Sequence, residues 1–172
     1  MKLTDGRIVA ADDLISYLLL RVNETGSGNP LRDRYIGFCA VTAATHVETT
    51  AKEAILEFCR VQNRYLFAVV EAELKNFNAR ISYKDLRRFL GRLDPALEDR
   101  FQSTLDRLNR RTLAAVARGF DLLQAYQSLL DLRHSFVHNF HVSFAQVTAS
   151  DLEKYIYASK RVICAFGRTL GE

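Results

Sequence analysis

The stretch QAYQSLLDLRHSFVHNFH, residues 124–141, joins an apolar helical pattern to three of the chain's four histidines. Leu122 and Leu123 lead into it, and Tyr126, Leu129 and Leu130 continue the spacing of a helix with one buried face. Arg133 stands directly before His134, and His138 follows five positions later. Five residues turn an α-helix through about 140°, so Arg133 and His138 cannot share a face of one straight helix. Either the helix unwinds before His138, or a second chain completes the site. An isologous two-fold dimer would bring two copies of each residue together.

The segments on either side are also helical in pattern. Met1 to Ala11 is ambiguous, and Asp5-Gly6 could turn a small hairpin. Asp12 or Asp13 then opens a helix to about Val22, with Leu14, Tyr17, Leu18 and Arg21 at helical spacing. NETGSGNP, residues 23–30, is a loop of breakers and small polar residues. From about Leu31 to Val61 one apolar stripe passes through Val47, Ala51, Ala54, Ile55 and Phe58, with Glu48 and Lys52 placed to pair one turn apart. A further helix from about Tyr65 to Asn76 points Leu66, Val69, Val70, Leu74 and Phe77 inward, after a break near Gln62-Asn63.

Ser82 with Asp85 predicts a capped basic helix, YKDLRRFLGRL, which ends between Gly91 and Asp94. Asp94-Pro95 restarts the chain as cap and first helical residue. The helix that follows turns Phe101, Leu105 and Leu108 inward and Arg100, Arg107, Arg110 and Arg111 outward. Thr112 to about Val137 reads as helix with a joint near Arg118-Gly119. Ser150 and Glu153 suggest the capping box of a last helix that runs to about Phe166, before Gly167. Strand signals are scarce and there are two prolines. The fold class is all-α, an up-and-down bundle with a core of about four helices plus short extra helices.

A chain of 172 residues with 48% apolar composition can bury one sizeable core, so a single domain over 1–172 is expected. The apolar run LISYLLL is far short of the roughly 18 residues that span a bilayer. Acids occupy the N-terminal stretch where a secretory signal carries its apolar region, which points to a cytoplasmic protein with no membrane partner. Cys39, Cys59 and Cys164 form no CxxC pair and sit among apolar residues, as buried reduced thiols do. Of 24 basic residues, 18 are Arg and 6 are Lys. Between Arg80 and Arg118, ten basic residues face five acids, a local +5 within a chain of +4. Arg grips phosphate with paired hydrogen bonds, so Arg87, Arg88, Arg107, Arg110 and Arg111 are candidate RNA contacts. A solvated helical face would account for the same charges.

The spacing Arg-x4-His is weak taken bare. With 18 Arg and four His in 172 positions, and three allowed spacings, roughly one match arises by chance. Its context adds weight, because the pair closes a long apolar helix and one more helix follows. Arg133 could equally pair with a carboxylate, and His138 could favour the helix C-terminus as a cation. His134 and His138 lie one turn apart, the spacing of a two-histidine metal site, with His141 as a third ligand. Position 135 is Ser, so no HExxH pattern forms, and no metal is expected. His46, in an apolar helix beside Glu48, reads as a packed histidine. GSGNP lacks the Lys-Ser/Thr of a phosphate loop. Tyr126 and Phe136 are expected near the cleft.

LLDLRHSFVHNF resembles the motif of HEPN-superfamily ribonucleases, helical bundles that carry Arg-x4-6-His late in the fold. Leu129 to His138 carries the resemblance, and the helical layout follows it along the chain. The resemblance implies a metal-independent endoribonuclease that works as a homodimer without a cofactor and leaves 2′,3′-cyclic phosphate ends. It implies Arg133 and His138 as the catalytic pair, with His134 as the polar neighbour of the Arg. RNA would be the substrate, a toxin or antiphage role the setting, and a cognate antitoxin or sensor protein a further partner. A non-catalytic module that binds RNA, nucleotides or protein is the alternative. Many such motifs place Gly after the His, where this chain has Asn139, a residue that tolerates the same left-handed backbone. In one toxin branch a modifiable Tyr stands at the position of Phe140, and Phe cannot accept that modification.

Overall fold

The computed structural model describes residues 5–75, 81–114, 119–139 and 143–171. Among these residues there are seven helices and no strand: α1 Asp5–Glu24, α2 Pro30–Gln62, α3 Arg64–Lys75, α4 Tyr83–Leu93, α5 Pro95–Ala114, α6 Leu122–His138 and α7 Ala149–Gly171. The all-α bundle expected from the periodicity is the fold found. α2, with 33 residues, is about 50 Å long and serves as its spine. α2 packs on α1, α6 and α7, α7 also on α1, α5 and α6, α3 lies on α2, and α4 joins through α5.

The local signals that set most boundaries are specific. Asn29 caps α2 by accepting from the Leu31 N–H, with Pro30 in the first turn, where a missing N–H costs nothing. Ser82 and Asp85 close the expected capping box on α4. Asn63 breaks the chain between α2 and α3, close to the expected joint.

Three boundaries differ from expectation, and one joint is found where it was expected. Asp5-Gly6 turns no hairpin and α1 begins at Asp5, well before Asp12; Ala10 and Ala11 are strong helix formers, and an isolated hairpin is marginal in water. The joint expected near Arg118-Gly119 falls between two helices, as anticipated. α5 ends at Ala114, and Asp121 caps a new helix by accepting from the Gln124 N–H at 2.8 Å. α7 is capped by Thr148 with Asp151 rather than by Ser150 with Glu153: Thr148 Oγ1 accepts from the Asp151 N–H at 3.1 Å, and Asp151 Oδ2 from the Thr148 N–H at 3.2 Å. Nor does α7 stop at Gly167. Burial of Phe166 and Leu170 on either side outweighs the roughly 1 kcal/mol that a helical glycine costs.

The core falls into two clusters along the bundle. One gathers Ala51, Ile55, Leu86, Phe101, Leu105, Tyr126, Val162 and Phe166 from α2, α4, α5, α6 and α7. Phe101 and Phe166 meet edge to face at 5.7 Å there, worth about 0.5–1.5 kcal/mol beyond the area buried. The other gathers Ile15, Leu18, Val22, Ile36, Cys39, Ala40, Leu129, Phe144, Leu152 and Ile156. The start of α2, the end of α6 and the start of α7 therefore lie at one end, with α6 antiparallel to both.

Of the residues at helical spacing in α1, Leu18 faces the core with Ile15 and Val22, whereas Leu14 and Tyr17 are exposed; Val69 on α3, expected inward, is exposed as well. Phe77 lies outside the described residues. Cys39 and Cys59 are buried, and burial pushes the Cys39 thiol up to about 12, so it stays protonated. Cys164 is exposed, contrary to its apolar neighbourhood in sequence, because α7 turns it away from the side that buries Ile163 and Ala165. No helix among the described residues is long and apolar enough to cross a membrane.

Candidate functional site

α6 remains helical through His138, and the Asn139 N–H donates to the Ser135 carbonyl at 2.9 Å to close it. The unwinding considered above does not occur. Arg133 and His138 therefore stand about 140° apart on one helix. Asn139 is extended (φ −142°) rather than left-handed, so it does not replace a positive-φ glycine.

Arg133 is half-buried and His138 exposed. His134 lies one turn before His138, and their rings are 4.5 Å apart, tilted by 52°. The structure thus groups His134 with His138 and turns Arg133 towards a different side. No group of three or more His, Cys, Asp or Glu that could hold a metal gathers among the described residues. His141 and Phe140 lie outside them.

Phe136 fixes the end of α6. Its ring meets Phe38 edge to face at 5.2 Å and lies 6.4 Å from the Phe144 ring. It rests on Gly37 of α2 so closely that a Cβ there would come within 2.0 Å of the ring. A glycine inside a helical stripe, Tyr35-Ile36-Gly37-Phe38, is the one trace of this contact in the sequence. Tyr126, expected near a cleft, is instead wholly buried in the core, and its hydroxyl donates to the Ile81 carbonyl. Two turns of helix before Arg133 carry it into the other cluster.

The segment after α6 is pinned to the first turn of α2. Arg32 Nη2 donates to the Val147 carbonyl at 2.8 Å, and the Phe144 N–H donates to Asp33 Oδ1 at 3.0 Å. Arg32 is buried and so differs from the surface arginines. Neither Arg32 nor Asp33 stood out in sequence, because contacts so distant along the chain leave no local pattern. Together they hold Phe144 and Val147, in the segment that leads into α7.

The five candidate RNA contacts are exposed on α4 and α5, not on α6. Arg87 pairs with Glu98 at 2.6 Å and reaches Gln102 at 3.4 Å, tying α4 to α5. Arg88 is 3.7 Å from Asp85. Arg110 Nε donates to the Asp106 carbonyl at 3.4 Å, and Arg107 and Arg111 lie in the exposed last turns of α5. Exposed pairs of this kind are worth about 0–1 kcal/mol, so the guanidinium groups can exchange partners for phosphate at small cost.

His46 is half-buried near Asp12 of α1, Lys160 of α7 and Glu53 of α2. Burial lowers its pKa, with Lys160 acting in the same sense and Asp12 and Glu53 opposing. It is the packed histidine that its sequence position suggested.

Residues 7–172 match a family described as RiboL-PSP-HEPN. No curated protein and no solved structure matches the chain.

Proposed function

The chain belongs to the RiboL-PSP-HEPN family, and on that premise we propose that it is a metal-independent endoribonuclease with a site completed between two copies. HEPN domains generally cleave or bind RNA and often dimerise. The observation that carries the finer reading is the unbroken α6. One helix holds Arg133 and His138 on different sides, so both converge on one phosphate only if a second copy contributes. The surface around them suits such an interface. Phe38 and Val137 are 52% and 47% exposed, and Leu31 in the first turn of α2 is exposed as well. Apolar side chains of this size grouped at one end favour burial against a partner.

In this reading one His138 takes the proton from the ribose 2′-OH as its oxygen attacks phosphorus. The bond to the 5′-oxygen breaks, and the second copy's His138 returns a proton to it. Arg133 holds the doubly charged phosphorane, where a permanently charged, bidentate group acts most strongly. His134, whose tilted ring lies 4.5 Å from that of His138, orients it. The products are a 2′,3′-cyclic phosphate and a 5′-hydroxyl. A cell that carries such an activity must restrain it, hence a cognate antitoxin or sensor partner.

The test is RNA cleavage in EDTA. Arg133→Ala and His138→Ala should each lower the rate by roughly 100-fold or more. His138→Ala mixed with the parent chain should depress its activity through mixed dimers, because the site draws a His138 from each copy. Variants that cut as fast as the parent chain, or a monomer that cuts unaided, would overturn the proposal. Salt-sensitive binding without turnover would favour a non-catalytic RNA-binding module that uses the α4 and α5 arginines.

A further inference from the structure

A second site stands apart from the α6 motif, in a groove between the end of α5, Phe120 and the first half of α7. Its volume is about 470 Å³, within the roughly 300–1,000 Å³ of small-molecule sites. Arg111, Lys154 and Arg161 line it against a single carboxylate, Glu153. Its apolar wall is aromatic. Tyr157 is 48% exposed and meets Phe120 edge to face at 6.2 Å. The Arg161 guanidinium lies over the Tyr157 ring, 5.9 Å from its centroid.

The wall is also held in place. Asn109 of α5 donates to Asp121 Oδ2 at 3.2 Å and accepts from the Leu122 N–H at 2.7 Å. These bonds tie the start of α6 to α5 directly beside Phe120, which steadies that ring at the groove. Lys154 is braced by Asp151 at 3.3 Å.

We propose that this groove binds a nucleoside phosphate, its base stacked on Tyr157 and its phosphate held by Arg161, Lys154 and Arg111. Each part of such a ligand meets its chemical match. A flat, partly wet ring offers a stacking face to any base. Three cations clustered beside it take a phosphate that one ring alone would not select. Glu153 is the acceptor for a ribose hydroxyl or a base amino group. The ligand is either a free mononucleotide or one unit of a strand, and the same contacts serve both.

AMP titrated calorimetrically into the full-length protein tests the first source. Fluorescence anisotropy with a labelled 2′-O-methyl oligoadenylate tests the second. The blocked 2′-oxygen prevents cleavage, so this result stands or falls separately from the proposed ribonuclease site. Tyr157→Ala and Arg161→Gln should each weaken binding roughly tenfold or more, while Tyr157→Phe binds as the parent chain does. The half-exposed position of Tyr157 lets these variants keep the fold, which a melting curve verifies. Saturable, Tyr157-dependent binding of AMP identifies a free nucleotide ligand. The same dependence with the oligomer alone identifies a strand subsite. Absence of binding by both probes, or equal binding by all variants, would overturn the assignment.

Discussion

Gly37→Ala tests whether the end of α6 is seated on α2 as described. A Cβ at that position would lie 2.0 Å, 2.3 Å and 2.3 Å from three carbons of the Phe136 ring, where ordinary contact begins near 3.4 Å. The ring must therefore retreat by more than an ångström. It cannot do so freely, because Phe38 and Phe144 hold it on other sides. Overpacking of this kind costs about 1–3 kcal/mol. Alanine recovers about 1 kcal/mol of helix propensity in α2, which leaves a net loss of up to about 2 kcal/mol and a melting temperature lower by up to roughly 8 °C. Gly167→Ala is the control. It lies inside α7 with nothing within 4 Å of the added carbon, so the same exchange should stabilise by about 0.5–1 kcal/mol. Circular dichroism melts of both variants decide the matter, and Phe136→Leu should recover part of the loss in the Gly37→Ala background. If Gly37→Ala stabilises as Gly167→Ala does, Phe136 does not pack on Gly37 and the placement of His138 that follows from it is wrong.

Two further outcomes follow from buried polar groups. Burial depresses the pKa of His46, so the unfolded chain takes up a proton first, and stability present above pH ~6.5 should fall as pH drops towards the folded value. His46→Gln should flatten that slope in melts across this window, and an unchanged slope would assign it to other groups. Arg32→Met keeps the buried stem but deletes the hydrogen bond to Val147. Amide exchange in residues 143–148 should quicken while the core of α2 stays protected, and exchange rising evenly throughout would mean that Arg32 supports the whole bundle rather than the loop.

The helices were legible because their signals are local. The loop of breakers that ends at Asn29-Pro30, Ser82 with Asp85, and Asp94-Pro95 each act within a few residues, and each marks a boundary in the structure. Competing local signals are where the reading failed. Thr148 with Asp151 and Ser150 with Glu153 fit the same spacing, and only the burial of Leu152 and its neighbours against α1 and α2 chooses between them. Charge counting failed differently. It pooled every arginine, although Arg32 is buried against a carbonyl 115 residues away and Arg87 lies on the surface with Glu98. Such pairs depend on the register between helices, which periodicity does not encode. The same distinction bears on the site. Rotation along α6 is a local property, so the separation of Arg133 from His138 could be worked out from spacing alone. How α6 seats on its neighbours is a matter of packing, and Gly37 beneath Phe136 fixes that seat. A two-copy site needs both: a helix that keeps the pair apart, and a seat that leaves His138 and Val137 on the outside.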